Sequence, residues 1–223
     1  MNQEQALSLL KETKLVAILR GIPVKQATDI ATALYDGGVR VLEFTFDHDD
    51  PDCVAHNCQR IRAVKKIFGD EMVVGCGTAL TVQEVEASVE AGGQIVISPN
   101  VDVSVIAKTK ALGAISMPGA LTPTEIVMAY NAGADIVKLF PAGTLGVPYI
   151  KAVRGPLGYI PMSAVGGVRP ETIADFLNVG VCGFGVGGEL VKKEFVRSGD
   201  MNELTSRARK FVHAIEQWEA NRS

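Results

Sequence analysis

The chain has 223 residues, of which 47% are hydrophobic and 21% are charged, and its formal net charge is −3. These values are typical of a globular protein, and the slightly negative charge gives no reason to expect nucleic acid as a partner. The apolar stretches are far shorter than the roughly 20 residues that span a bilayer, and the N-terminus lacks the cationic and apolar regions of a secretory signal. We therefore expect a cytoplasmic protein that has no membrane partner.

The cysteines and histidines form no pattern typical of a metal site or a disulfide framework. The four cysteines contain no C-x-x-C pair, and the three histidines lack the H-E-x-x-H spacing or a similar one. We expect four reduced thiols, as is usual in the cytosol, and neither a metal nor another cofactor.

A glycine that is followed by a short apolar run recurs along the chain. This pattern indicates a helix that ends at the glycine and a buried strand after it. Gly38 precedes the run that begins at Val41, and Gly133 precedes the run that begins at Ile136. Eight strands are predicted in this way, at residues 15–19, 39–46, 72–75, 94–97, 114–117, 135–139, 160–164 and 182–185.

Helical patterns lie between the predicted strands. Thr81 and Glu84 have the spacing of a capping box, and Pro123 and Pro170 each stand where a first helical turn is expected. Predicted helices cover residues 3–12, 24–35, 51–68, 101–112 and 201–218, and three more begin near residues 81, 122 and 169.

Strict alternation of strand and helix favours an α/β fold with a parallel sheet. Eight such units in a chain of this length predict one (β/α)8 TIM barrel domain over residues 1–223, with an extra helix before the first strand. A doubly wound open sheet is the alternative.

Three ionisable residues lie at or near the ends of predicted buried strands: Arg20, Glu43 and Lys138. In a (β/α)8 barrel the active site lies at the C-terminal ends of the strands, so these side chains should meet at one mouth. Burying a charge without a partner is costly. We therefore interpret the three residues as parts of a catalytic site.

The chemistry of these residues suggests their roles. Apolar neighbours should lower the pKa of Lys138, and a partly neutral lysine can attack a carbonyl and form a Schiff base. A buried Glu43 would have a raised pKa suited to moving protons, and Arg20 could bind a substrate carboxylate with two hydrogen bonds. The structural alternatives are that Lys138 and Glu43 neutralise buried charges and that Arg20 forms a salt bridge at the rim.

Two glycine pairs follow the last two predicted strands, Gly166-Gly167 and Gly187-Gly188. These are the loops at which barrels commonly bind phosphate on backbone N–H groups, and glycine lets the backbone approach an anion closely. The sequence therefore predicts a phosphate subsite, with tight turns as the alternative.

Two other patterns give weaker evidence of a binding site. Gly183, Gly185 and Gly188 fit G-x-G-x-x-G, but the motif lies late in the chain and does not open a βαβ unit, as dinucleotide binding requires. The acidic run at residues 47–52 could bind a hard cation, yet acidic residues before a helix are favourable without one. We assign neither a dinucleotide nor a metal.

Together these residues resemble the 2-keto-3-deoxy-6-phosphogluconate / 4-hydroxy-2-oxoglutarate (KDPG/KHG) aldolase family of class I aldolases. The resemblance runs from about residue 15 to residue 190 and rests on the order and spacing of seven motifs. They are VAILRG at 16–21, GGVRVLEFT at 37–45, GCGT at 75–78, ISP at 97–99, MPG at 117–119, VKLFP at 137–141 and VGGV at 165–168.

The resemblance implies a homotrimeric (β/α)8 barrel without a metal, in which Lys138 forms the Schiff base and Glu43 is the general acid/base. It implies that the substrate contacts Arg20, Thr78, Pro99, Phe140, Gly166, Gly167, Gly187 and Gly188. The implied reaction is reversible cleavage of a 2-keto-3-deoxy sugar acid, first of all 2-keto-3-deoxy-6-phosphogluconate, to pyruvate and glyceraldehyde 3-phosphate.

Three positions depart from common family residues: Asp47, Val165 and Gly188, where some members have arginine, threonine and serine. The last two departures remove hydroxyl groups that could donate to a phosphate. A galacto-configured or unphosphorylated 2-keto-3-deoxy acid, or 4-hydroxy-2-oxoglutarate, is therefore an alternative substrate.

Two other functional classes fit parts of the pattern. A phosphate-binding barrel isomerase or epimerase would share the glycine loops, but no histidine lies at the end of a predicted strand in this chain. A non-catalytic sugar-phosphate-binding module would have no use for Lys138 or Glu43, and both are present.

Overall fold

The computed structural model describes residues 1–222, and its centre is a sheet of parallel strands. Within these residues the strands are β1 (Leu15–Leu19), β2 (Val41–Thr45), β3 (Val73–Gly77), β4 (Ile95–Ile97), β5 (Ile115–Met117), β6 (Gly119–Ala120), β7 (Val137–Leu139), β8 (Met162–Val165) and β9 (Gly183–Val186). Their order across the sheet is β5-β4-β3-β2-β1-β9-β8-β7-β6, and each pairing is parallel.

The sheet closes on itself through the segment 115–120. β5 corresponds to the fifth predicted strand, at residues 114–117, and β6 was not predicted; the two are separated by Pro118, which has no N–H to donate. β5 pairs with β4 and β6 pairs with β7, and the Lys138 N–H donates to the Pro118 carbonyl at 2.9 Å. The predicted (β/α)8 barrel is therefore confirmed, and the open sheet is wrong.

Ten α-helices surround the barrel in residues 1–222: α1 (Gln3–Thr13), α2 (Ala27–Asp36), α3 (Cys53–Phe68), α4 (Val82–Glu90), α5 (Val103–Ala111), α6 (Pro123–Asn131), α7 (Ala142–Leu157), α8 (Ile173–Asn178), α9 (Lys193–Ser198) and α10 (Met201–Ala220). The capping box at Thr81 and Glu84 forms as predicted, and Pro123 lies in the first turn of α6. No helix in this part of the chain is both long and apolar enough to cross a membrane.

The sequence pattern did not indicate α7. This helix contains two prolines and three glycines, which are poor helix formers, and Gly146 has φ 75° and ψ 165° inside it. The helix forms because the barrel requires a connection between β7 and β8 that covers the sheet, with Ile150 and Val153 buried.

Two apolar layers explain why the strands are apolar on both faces. Inside the barrel, Val16, Val41, Val73 and their neighbours form one cluster. Ala6 and Leu10 of α1 belong to this cluster, so the extra N-terminal helix packs against the end of the barrel where the strands begin. Residues that face outward on the same strands pack against the helices. The opposite, C-terminal end of the barrel stays open.

Candidate active site

The predicted site residues come together at the C-terminal end of the barrel. A cavity of about 750 Å³ opens there. Its lining includes all ten site residues that the sequence predicts: Arg20, Glu43, Thr78, Pro99, Lys138, Phe140, Gly166, Gly167, Gly187 and Gly188. Asp47 lies outside this lining, whereas Val165 is part of it.

Glu43 is the more deeply buried of the two central charges. It projects from β2 beside Ile18 of β1, and it is 1% exposed. Burial raises the pKa of its carboxyl from 4.5 to about 7, although the positive charges of Lys138 and Arg20 oppose the shift. Its Oε2 atom has no hydrogen-bond partner among residues 1–222. The carboxyl can therefore exchange a proton near neutral pH.

Lys138 projects into the same cavity from β7 and is 8% exposed. Burial lowers the pKa of its amine; the negative charge of Glu43 opposes this shift and Arg20 adds to it. The amine nitrogen lies 5.1 Å from the centre of the Phe140 ring. A lysine in this environment has a larger neutral fraction, and the neutral amine is the form that attacks a carbonyl.

The two charges influence each other without forming a direct ion pair. Among residues 1–222, no carboxylate oxygen lies within 4.0 Å of the Lys138 amine or the Arg20 guanidinium. This geometry counts against the structural alternatives, in which Lys138 pairs with a buried carboxylate and Arg20 forms a salt bridge at the rim. All three side chains retain groups that can bind a ligand.

One of the two glycines on β3, Gly77, provides the space for the Glu43 side chain. The register pairs Glu43 with Gly75 and Thr45 with Gly77. A Cβ atom at Gly77 would lie 2.2 Å from Glu43 Oε2 and 2.4 Å from its Cδ, which no real contact allows. The third predicted strand ended at Gly75, whereas β3 extends through Gly77. Glycine inside a strand often marks such a close approach.

Thr78 follows these glycines with a backbone φ of 57°. This left-handed conformation is rare for a β-branched residue, and strained backbone of this kind clusters at ligand-binding sites. Thr78 lines the cavity, so its strained backbone lies at the site itself.

The backbone conformation favours glycine at one of the two glycine pairs and not at the other. Gly166 and Gly167 have φ values of 89° and 72°, and the Gly143 N–H donates to the Gly166 carbonyl at 2.7 Å. Gly187 and Gly188 have no left-handed φ, and a Cβ atom at Gly188 would meet nothing within 4 Å. The first pair forms a turn that only glycine adopts readily, whereas the second leaves open space in the cavity.

The acidic loop after β2 is held by local contacts. His56 Nδ1 lies 2.7 Å from Asp50 Oδ2, and His48 Nε2 lies 2.7 Å from Glu84 Oε1. The other oxygen of Glu84 accepts hydrogen bonds from backbone N–H groups at the start of α4. Across residues 1–222 no group of three or more His, Cys, Asp or Glu side chains is placed to hold a metal ion.

Comparison with known proteins identifies a family to which the chain is similar. The family described as "KDPG and KHG aldolase" matches residues 7–207. A probable 2-dehydro-3-deoxy-6-phosphogalactonate aldolase of Rhizobium meliloti (strain 1021) is 36% identical over 193 residues, which cover 86% of this chain and 88% of the relative. The 2-dehydro-3-deoxy-6-phosphogalactonate aldolase of Escherichia coli (strain K12) is 34% identical over 205 residues, which cover 91% and 95%.

A solved structure shows the same architecture. The structure described as "Native KDPGal structure" superposes with a TM-score of 0.84 at 32% identity, over 92% of this chain and 96% of that one. The superposition therefore covers most of the chain.

The close approach of Gly77 to Glu43 can be tested by asking whether the stability cost of a methyl group at residue 77 depends on the Glu43 carboxylate. We expect Gly77→Ala to destabilise the fold by about 1–3 kcal/mol through overpacking. In a Glu43→Ala background the same change should cost less than about 1 kcal/mol, because the atoms that the new methyl group meets are gone. Urea unfolding of the four proteins measures both costs.

Gly75→Ala is the matched control for this cycle. A Cβ atom there would lie 1.9 Å from the Ile95 carbonyl oxygen, so its cost should not depend on residue 43. Equal costs of Gly77→Ala in the two backgrounds would show that Gly77 does not accommodate Glu43.

Proposed function

The chain belongs to the KDPG and KHG aldolase family and is therefore an aldolase, a lyase of carbon–carbon bonds; from this premise we propose that it acts through a Schiff base on Lys138, with Glu43 as general acid/base. The proposal is carried by one observation. Two buried groups of opposite charge share a cavity, and burial shifts the pKa of each toward neutrality without a direct ion pair between them. Groups shifted in this way are suited to proton transfer and nucleophilic attack.

The reaction begins at the C2 carbonyl of a 2-keto acid. The neutral Lys138 amine attacks C2. Protonated Glu43 then donates its proton as the carbinolamine loses water, which leaves a protonated imine and the Glu43 carboxylate. The Glu43 carboxylate then takes the proton of the C4 hydroxyl, the C3–C4 bond breaks, and the aldehyde leaves. The electron pair of that bond moves into the enamine of pyruvate, because the protonated imine accepts it.

The second half of the reaction returns the proton. Glu43, now protonated, donates to C3 of the enamine and converts it to a methyl group, and water hydrolyses the imine to release pyruvate. The imine supplies the electron sink, so this mechanism requires neither a metal nor another cofactor. The raised pKa of Glu43 suits a group that must accept and donate the same proton.

The remaining cavity residues are proposed to position the substrate. Arg20 binds the substrate carboxylate. Thr78, Pro99 and Phe140 line the pyruvyl part of the cavity. A distal phosphate is held by backbone N–H groups at Gly166, Gly167, Gly187 and Gly188.

Family membership excludes the isomerase and the binding module as primary functions. The homotrimer and the cytoplasmic location that the resemblance implies stay proposals. Light scattering would test the first, because a homotrimer has three times the 23.7 kDa mass of the chain.

The substrate is proposed to be a phosphorylated 2-keto-3-deoxy sugar acid. The two relatives compared above are named for the 6-phosphogalactonate compound, so we now favour the galacto epimer over the gluco epimer first expected. Pyruvate release from both epimers and from 4-hydroxy-2-oxoglutarate, measured side by side, tests this choice. We expect the highest kcat/KM for the galacto epimer, and a higher value for either alternative would refute the choice.

The Schiff base is testable with pyruvate alone. Borohydride reduction in the presence of pyruvate should leave a covalent adduct on the peptide that contains Lys138, read by mass spectrometry. Lys138→Met should leave none. Lys192 and Lys193 line the same cavity and serve as internal controls that should remain unmodified. A folded protein that gives no adduct at saturating pyruvate would refute the mechanism.

The role of Glu43 predicts a pH dependence. Removing a proton from the methyl group of the pyruvyl imine requires the ionised carboxylate, and the Glu43 pKa is about 7. The rate of deuterium exchange into the pyruvate methyl group should therefore rise as the pH increases through about 7, with an apparent pKa that belongs to the coupled Glu43–Lys138 pair.

Glu43→Gln should slow this exchange by about 10²–10⁴-fold and remove the inflection, while borohydride trapping on Lys138 persists. Glu189→Gln is the control, because Glu189 is an exposed carboxylate at the same cavity. Exchange at the rate of the unsubstituted protein in Glu43→Gln would refute the assigned role.

A further inference from the structure

A second groove opens beside the catalytic cavity, between the loop after β1 and the start of α9. Its volume is about 240 Å³, and Ile22, Pro23, Val191 and Val196 form its apolar walls. The Gln26 side-chain amide donates to the Val196 carbonyl at 3.1 Å and so ties the two walls together. The groove is therefore a built feature of the fold.

The groove is continuous with the active site. Arg20 and Lys193 line both the groove and the catalytic cavity. β1 lies next to β9 in the barrel, and a Cβ atom at Gly187, just beyond β9, would lie 3.6 Å from Ile18 Cβ. An anion held at Gly187 and Gly188 would therefore be adjacent to the opening of the groove.

All ionisable residues that line the groove are cations: Arg20, Lys193 and Arg197. Among residues 1–222, none of the three has a carboxylate oxygen within 4.0 Å. The adjacent Lys192 differs, because its amine lies 3.5 Å from Glu194. Gathering uncompensated like charges in a cleft is unfavourable by itself and attracts an anion from solution.

We propose that this cationic groove binds the distal phosphate of the substrate, with Lys193 as its principal charge and Arg197 as a second. This inference rests on the proposed function, since it requires a substrate whose keto end is bound at Lys138. It adds charged side chains to the glycine loops, whose backbone N–H groups carry only partial charge. Lysine binds phosphate as a point charge, and arginine adds directional hydrogen bonds.

A phosphate fits this position better than the terminal carboxylate of 4-hydroxy-2-oxoglutarate. That carboxylate is attached directly to the carbon at which the bond breaks, so it stays beside Lys138 and Glu43. A phosphate on C6 is several bonds further along the substrate, toward the edge of the cavity. A phosphate also carries nearly two negative charges at neutral pH, which matches Lys193 and Arg197, the two cations of the groove that do not bind the substrate carboxylate.

The test compares a phosphorylated 2-keto-3-deoxy acid with the same acid lacking the phosphate. In Lys193→Gln, kcat/KM for the phosphorylated acid should fall about tenfold to a hundredfold, chiefly through KM. For the unphosphorylated acid kcat/KM should fall much less. The ratio of kcat/KM for the phosphorylated acid to kcat/KM for the unphosphorylated acid should therefore fall. Lys193→Arg should restore most of the ratio, because the positive charge is retained.

Lys25→Gln is the matched control. Lys25 is an exposed lysine on the same loop after β1, and it lines neither space. The proposal is overturned if Lys193→Gln keeps the ratio within about twofold, if it affects both acids equally, or if the unsubstituted protein does not prefer the phosphorylated acid. Absence of a pyruvate adduct on Lys138 in the unsubstituted protein would instead refute the proposed function, so the two failures are distinguishable.

Discussion

Desolvation of two charges inside a closed apolar barrel is the constraint on which the site depends. The barrel interior is filled by aliphatic side chains, and α1 packs against them at the end where the strands begin. The cavity that Glu43 and Lys138 line opens at the other end. The shift of the Glu43 pKa from 4.5 to about 7 corresponds to roughly 3 kcal/mol that disfavours its ionised form. The apolar packing of the rest of the barrel offsets this cost. The result is a carboxyl that exchanges a proton near neutral pH, beside an amine whose pKa is lowered by burial.

Close contacts between neighbouring segments of the barrel shape the surroundings of Glu43 and Lys138. Glu43 can lie inside the barrel because Gly77 of the neighbouring strand has no Cβ atom to collide with its carboxylate. On the other side of the mouth, the left-handed turn at Gly166 and Gly167 packs against the start of α7, where the Gly143 N–H binds the Gly166 carbonyl. Glycine therefore has two different uses here: space for a catalytic side chain on β3, and a turn that exposes backbone N–H groups after β8.

The electrostatics of the mouth divide the site into two halves. At the centre, Lys138 and Glu43 balance each other's charge within an apolar enclosure. Toward the edge between β9 and β1, Arg20, Lys193 and Arg197 form a region of positive charge without carboxylate partners in the part of the chain that is described. A substrate with a keto acid at one end and an anion at the other complements both halves.

The order of strands, the extra N-terminal helix and the central residues Lys138 and Glu43 followed from the sequence alone, because burial patterns and helix caps are local properties of the chain. Gly77 beneath Glu43 and the groove between Arg20 and Lys193 did not, because residues distant in sequence become neighbours only when strand register and barrel closure bring them together. Tertiary packing also determined α7, whose prolines and glycines oppose a helix locally. Local chemistry thus indicated the groups that we propose as reacting, and long-range packing decided what surrounds them.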